Sequence, residues 1–206
     1  MRESVSGQSV APESESRILL RQARVGEAEA LGRLLLRLRP WMKVMAESML
    51  GGEFTARVDA SDLVQQTCLS VHRRIEQFTG EDVAQFLAWV REIHHCNIRD
   101  EVRRNVAAGQ RAVGREVPLA AMGPIASVEA SPERRLQLSE DSLRLVEATD
   151  GLPPAQKAVA ILRYLEGWSV SDIAQHMHLT PDAVTSLLRR ALIALRSRLS
   201  DLGEPD

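Results

Sequence analysis

The sequence predicts an all-α chain, two small helical domains joined by a flexible linker, and three observations carry that prediction. Apolar residues recur at helical spacing over long stretches, whereas alternating apolar and polar runs are few and aromatics make up only 3% of the 206 residues. The stretch from Ala107 to Ala130 loses this periodicity and holds Gly109, Gly114, Pro118, Gly123 and Pro124, so it separates two periodic halves. Finally, Ser169 to Arg190 carries two helix-start signals in close succession, the pattern of two short helices joined by a turn.

Residues 1–15 are rich in Ser, Glu and Gly and have little to bury, which predicts a mobile tail. A first domain is expected over 16–106. Arg17 to Val25 forms a short helix closed by Gly26. Glu27 to Leu50 follows with Leu31, Leu34, Leu35, Leu38, Met42, Met45 and Met49 on one stripe. The stripe keeps its phase through Pro40, so one kinked helix or two nearly collinear ones are expected, ended by Gly51-Gly52. Asp59 to Phe78 turns Val64, Cys68, Val71, Ile75 and Phe78 inward and begins its opposite face with Asp59, Asp62, Gln65 and Gln66. After a loop over Thr79 to Val83, Phe86, Trp89, Val90, Ile93, Cys96 and Asn97 start another inward stripe. Its outer face is read as Arg91, His94, His95, Arg99 and Arg103.

The 107–130 linker has about 24 residues and reaches roughly 80 Å when stretched, at about 3.3 Å each. The second domain is expected over 131–206. Ser131-Pro132 starts a helix that runs to Thr149, Gly151 and Pro153 stop it, and Pro154 to Leu165 forms the next. Ser169 with Asp172 three residues on makes a capping box, and Val170, Ile173, Ala174 and Met177 give the helix one buried face. Thr180-Pro181 starts another helix, because an interior proline costs roughly 3 kcal/mol unless it sits in the first turn. Val184, Leu187, Leu188, Ala191, Leu192, Leu195 and Leu199 face inward, leaving Asp182, Thr185, Ser186, Arg189 and Ile193 outside. Glycine is common in such turns; this chain has His178, which strains a left-handed backbone mildly. Two helices, a short turn and a free polar face on the second are what reading a DNA major groove requires.

Composition narrows the function classes. The net charge of -2 gives no general attraction to a polyanion, but charge is segregated. Phe86 to Arg115 has six arginines against three acids, and Leu152 to Leu199 has six cations against three acids, a net +3 in each. No stretch approaches the roughly 20 apolar residues that cross a bilayer, and the first 16 residues lack a signal-peptide core, so no membrane insertion and a cytoplasmic location are expected. Two cysteines suit a reducing compartment. Cys68, His72, His94, His95 and Cys96 could supply soft metal ligands, but both cysteines fall on apolar stripes, where cysteine packs as a small hydrophobe. No metal and no cofactor are expected. No phosphate loop, nucleophile elbow or close acidic pair points to catalysis.

Three segments together resemble a family, the bacterial sigma-70 initiation factors of the small extracytoplasmic-function type. DASDLVQQTCLSVHRRIEQF is similar to the family's polymerase-binding helix, FLAWVREIHHCNIRDEVRR to the region after it, and LPPAQKAVAILRYLEGWSVSDIAQHMHLTPDAVTSLLRRALIALRSRL to region four. The Leu-Leu-x-x-Ala-x-x-Gly opening at Leu19 to Gly26 fits too, and the linker, longer than in minimal members, resembles that of planctomycete-like sequences. The resemblance implies a non-catalytic protein that lends promoter specificity to core RNA polymerase. It implies that Asp59, Asp62, Gln65 and Gln66 dock on the polymerase, and that Arg91, Arg99, Arg103 and Arg104 hold DNA through region two. It implies likewise that Thr185, Ser186 and Arg189 read base edges in region four while Arg190 holds phosphate. Trp89 is expected in the core. Polymerase and promoter DNA are the implied partners; whether an anti-sigma factor, a phosphorylation event or the linker holds the chain inactive stays open. The rival is a stand-alone helix-turn-helix regulator, which leaves the acidic-Leu-Val-Gln helix without a use.

Overall fold

A computed structural model of the chain describes residues 14–55, 58–113 and 138–201. Among these, all regular structure is helical: α1 Glu15–Arg24, α2 Ala28–Thr55, α3 Ala60–Arg74 with a 3-10 turn at Ile75–Gln77, α4 Val83–Val113, α5 Glu140–Thr149, α6 Pro154–Tyr164, α7 Val170–Met177 and α8 Pro181–Asp201.

Caps explain most of the starts. Ser14 Oγ accepts from Arg17 N (3.4 Å) at α1, Asp59 Oδ1 from Ser61 N (2.7 Å) at α3, and Asp82 Oδ1 from Gln85 N (2.8 Å) at α4. Each satisfies an amide that the first helical turn leaves without a partner. The expected capping box at α7 is present in both directions: Asp172 N donates to Ser169 Oγ (3.0 Å) and Ser169 N to Asp172 Oδ2 (3.1 Å). Thr180 Oγ1 caps Ala183 N (3.2 Å) ahead of Pro181, which opens α8. His178 adopts the left-handed backbone expected of the turn, at φ 54 and ψ 41.

Four boundaries differ from the sequence expectation by more than two residues. The α2 helix runs through Pro40 as one element and continues past Gly51-Gly52 to Thr55. Two glycines cost about 1 kcal/mol each in a helix, and packing outweighs that here: Ala46, Met49 and Leu50 are buried with Val58, Leu63, Ile98 and Val102 in a cluster shared with α3 and α4. The α3 helix proper ends at Arg74, and the 3-10 turn carries the chain to Phe78. The α4 helix extends to Val113, seven residues into the segment read as linker. The α5 helix starts only at Glu140, behind the extended Ser139 cap, so the helix expected to run unbroken from Ser131-Pro132 to Thr149 does not; residues 131–137, the linker before them and the tail before Ser14 lie outside the described residues.

α1 to α4 form one bundle and α5 to α8 a second unit around the helix-turn-helix. The stripe of α2 is buried as expected, with Leu31, Leu34, Leu38, Met42 and Met45 all at 2% exposure or less. A polar network ties α2, α3 and α4 inside this bundle. His94, read from the sequence as an outer residue, is fully buried, with Nε2 2.8 Å from Met42 O and Nδ1 2.7 Å from Thr67 Oγ1. A carbonyl only accepts, so Nε2 carries the hydrogen; the single Thr67 hydroxyl hydrogen has both His94 Nδ1 and the Leu63 carbonyl (2.8 Å) within reach, and the Thr67 oxygen accepts from Asn97 Nδ2 at 3.0 Å. Burial pushes the His94 pKa down to about 4, so the ring is neutral. The helical phase alone places position 94 off the main stripe, but α4 is flanked by both α2 and α3, so its buried arc is wider than one stripe.

The two units are docked. α5 and α6 pack against α2, and α5 also touches α4. Leu143 and Val146 of α5 and Leu162 and Leu165 of the α6 end join the same buried cluster as Leu34, Leu38 and Trp41 of α2. A smaller cluster of Ala148, Leu152, Ala160, Ala191 and Leu195 belongs to the second unit alone.

Candidate nucleic-acid and protein interfaces

The first surface lies at the start of α3. Asp59 caps the helix and Asp62 sits in its first turn, where negative charge complements the helix dipole. The Ser61 backbone amide and hydroxyl, hydrogen-bonding to Asp59, hold its carboxyl below the usual range. Asp59, Asp62 and Gln65 are exposed and Gln66 is half-buried, while Leu63, Val64 and Thr67 anchor the opposite face. The four residues thus form one ridge of two carboxylates and two amides, able to meet a basic partner with charge at one end and hydrogen bonds along it.

The second surface is the outer face of α4. Arg99, Arg103 and Arg104 are exposed, and each is tied to its own helix: Arg99 Nε donates to His95 O (3.3 Å), Arg103 pairs with Asp100 (3.7 Å) and Arg104 with Glu101 (2.8 Å). Such exposed i,i+3 pairs contribute little to stability and yield readily to a phosphate. Arg91 is a correction. It is only 8% exposed, and its charge acts on Glu166 in the loop after α6. Its position on α4 falls under the docked second unit, which a reading of α4 as an isolated amphipathic helix could not include. Cys96 is a second correction: it is exposed, not packed on the inward stripe, with Arg99 Nη2 3.7 Å from its sulfur. Cys68 is half-buried, and that burial raises its thiol pKa. Trp89 packs against Phe78 and Phe86, with ring centroids 5.2 and 6.1 Å away.

The third surface is α8. Val184, Leu188, Ala191 and Leu195 are buried, and Thr185, Ser186, Arg189 and Arg190 are all exposed on the other side. The Thr185 hydroxyl donates to Pro181 O at 2.9 Å. Leu192 and Leu199, expected inside, are 36% and 37% exposed, because the core partners of α8 do not wrap that far around it.

Between these surfaces runs a seam that sequence reasoning missed. Trp41 Nε1, on a side chain 1% exposed, donates to Glu166 Oε1 at 2.7 Å. The Glu166 side chain is 7% exposed, with His95 Nε2 3.9 Å from its other oxygen. Burial pushes the Glu166 carboxyl pKa up, while the Arg91 charge and the Trp41 hydrogen bond pull it back. Nearby, Arg37 bridges Glu15 Oε2 of α1 (2.5 Å) and Glu147 Oε1 of α5 (3.3 Å). The partners Trp41 and Glu166 stand 125 positions apart, so no local signal could pair them. Among the described residues, no three His, Cys, Asp or Glu side chains gather as a metal site, and no helix is long and apolar enough to cross a membrane.

Known proteins match both halves. Residues 34–107 match the family described as Sigma-70 region 2, and residues 142–195 match Sigma-70, region 4. Among curated relatives, the ECF RNA polymerase sigma factor BldN of Streptomyces coelicolor is 32% identical over 188 residues, 89% of this chain and 65% of BldN. The ECF RNA polymerase sigma factor SigD of Mycobacterium tuberculosis is 25% identical over 185 residues, 89% of this chain and 83% of SigD. A solved structure of CnrH in complex with the cytosolic domain of CnrY aligns over 93% of this chain and 100% of that one, at 22% identity and a TM-score of 0.39. With region two ending in the arginine face of α4, region four built on the helix-turn-helix, and relatives named ECF sigma factors spanning both, the chain belongs to the sigma-70 family, among its extracytoplasmic-function members.

Proposed function

We propose that the chain is a transcription initiation factor that joins core RNA polymerase and directs it to specific promoters, acting in the cytoplasm and catalysing no reaction itself. The observation that carries this is the pairing, in one chain, of an exposed acidic and amide ridge on α3 with an exposed reading face on α8. A stand-alone DNA reader has use for only the second.

In this reading Asp59, Asp62, Gln65 and Gln66 dock on a basic element of the polymerase. Arg99, Arg103 and Arg104 hold the phosphates of the downstream, minus 10 element, which region two helps to melt. Thr185, Ser186 and Arg189 read base edges of the upstream, minus 35 element, and Arg190 holds its backbone. An anti-sigma factor is a further partner class that the family reading adds.

The test is co-purification with core polymerase followed by run-off transcription. Retention of the chain on polymerase, and its loss when Asp62 and Gln65 are both replaced by Arg, is the expected result. Tight, specific DNA binding by a chain that never associates with polymerase would instead establish the stand-alone regulator. Within the reading face, Arg189→Ala changes the sequences recovered by binding-site selection, because a bidentate base contact carries about 1 to 3 kcal/mol of discrimination. Arg190→Ala weakens binding to all sequences alike and lowers the salt slope by about one.

A further inference from the structure

We propose that Asp182 is a specificity residue of the α8 face, a carboxylate that demands a cytosine about three base pairs from the base read by Arg189. This inference rests on the reading of α8 as a promoter-reading helix, and it names a feature of the DNA sequence that the helix takes.

The placement comes from the helix itself. Asp182 is the second residue of α8, and in a helix-turn-helix the first residues of the second helix meet the base edges. At about 100° per residue, Asp182, Ser186 and Arg189 fall within about 60° of one another. All three are exposed, and Val184, Leu188, Ala191 and Leu195 are buried on the opposite side. The helix rises about 10 Å from Asp182 to Arg189, which matches about three steps of a duplex at about 3.4 Å each.

The fold makes no other use of this carboxyl. Thr180 Oγ1 already accepts from Ala183 N (3.2 Å), so α8 is capped without it. Among the described residues no hydrogen bond or ion pair holds it. Three and four residues on, where a helical ion pair would form, stand Thr185 and Ser186. On α4, by contrast, Asp100 and Glu101 are each taken up by an arginine three residues later. Asp182 is also the one acid between Pro181 and Ser200, on a helix that carries Arg189, Arg190, Arg196 and Arg198. A carboxylate at that end complements the helix dipole, an effect that every DNA sequence would feel alike.

The chemistry selects the base. An ionised carboxylate only accepts hydrogen bonds. In the major groove guanine offers O6 and N7, both acceptors, and thymine offers O4 beside its methyl group. Adenine sets the acceptor N7 beside its N6 amine, whereas cytosine offers its N4 amine with no acceptor of its own on that edge. Facing any base but cytosine, the Asp182 charge meets lone pairs in a groove lined by phosphates. It therefore discriminates by penalty, lowering affinity for the wrong sequences more than it raises affinity for the right one.

The experiment is binding-site selection from randomised duplex DNA, run on the full chain with and without core polymerase. The unmodified chain should recover a cytosine about three pairs from the position whose preference Arg189→Ala removes. Asp182→Asn keeps the size and sheds the charge, and it should turn that cytosine into adenine, whose N6 and N7 fit a side-chain amide. Asp182→Ala should leave the position open and bind sites with other bases there roughly tenfold more tightly than the unmodified chain does. The other positions of the recovered site stay as they were. A site recovered unchanged by both variants overturns the inference, as does a gain in affinity spread evenly over all sequences, the mark of charge or helix dipole alone. Should Asp182→Ala lose its helical circular dichroism, Asp182→Asn decides by itself. A chain that recovers no sequence in either state ends the promoter-reading role of α8 and this inference with it. A site recovered by a chain that never associates with polymerase overturns the initiation-factor reading, and the Asp182 variants still decide the role of the carboxylate.

Discussion

The helix-turn-helix and the four-helix bundle are held by contacts of opposite reach. Around the turn between α7 and α8 the polar ties are local: Ser169 with Asp172, Thr180 with Ala183, and the His178 turn between them, while far along α8 Arg198 reaches back 47 positions to the Gly151 carbonyl. In the buried interior of the bundle they are distant. His94 reaches Met42 across 52 positions and Thr67 across 27, and Trp41 reaches Glu166 across 125. A local tie fixes the shape of one element and can be lost with little effect elsewhere. A distant tie forms only once whole helices are placed, so its loss is felt by every element it joins.

That contrast can be broken or sharpened by substitution, starting with the largest effect. Trp41→Ala empties a site 1% exposed and removes the donor to a buried carboxyl, so it should cost about 3 to 5 kcal/mol in denaturant unfolding and loosen both units together. Loss confined to the second unit would contradict the shared core. The next effect is acid sensitivity. The His94 pKa is depressed in the folded chain to about 4, below its ordinary 6.5, so its neutral form contributes stability that is full above about pH 6.5 and is lost as pH falls toward 4. The loss is on the order of 3 kcal/mol. His94→Gln should flatten that part of the stability curve, and an unchanged acid slope would place the sensitivity elsewhere.

Local ties predict smaller numbers. Ser169→Ala removes one half of a capping box and should cost about 1 kcal/mol, seen as faster hydrogen exchange in the first turn of α7 with the bundle amides unchanged. His178→Gly should raise the melting temperature slightly, by the equivalent of about 0.5 kcal/mol, because glycine takes the left-handed backbone without a Cβ clash but gives up chain entropy on folding. A fall in melting temperature would show that the histidine ring contributes more than its backbone costs.

The same division explains what could be read from the residues in order. The α7 capping box, the Thr180-Pro181 start, the exposed set on α8 and the ridge on α3 all follow from spacing within one or two turns, and the structure has each of them. Some errors fall where a second element intervenes, and others, at Cys96, Leu192 and Leu199, where no neighbour covers a position read as inward. Arg91 and His94 look exposed on a helix taken by itself, but Arg91 is buried near Glu166 of the second unit and His94 is enclosed by α2 and α3. Gly51-Gly52 looks like a stop, but the core on either side of it carries the helix onward. Periodicity reports how a helix divides its own surface; it does not report how many neighbours that helix will have.

Under the proposed reading of promoter DNA by α8, the Thr185 hydroxyl has a consequence for base choice. Its one hydrogen is committed to the carbonyl of Pro181, a turn earlier in α8, so toward DNA it offers lone pairs alone. Held that way, this position favours bases that present an amino group in the major groove, adenine through N6 or cytosine through N4, over guanine, whose edge there is all acceptors.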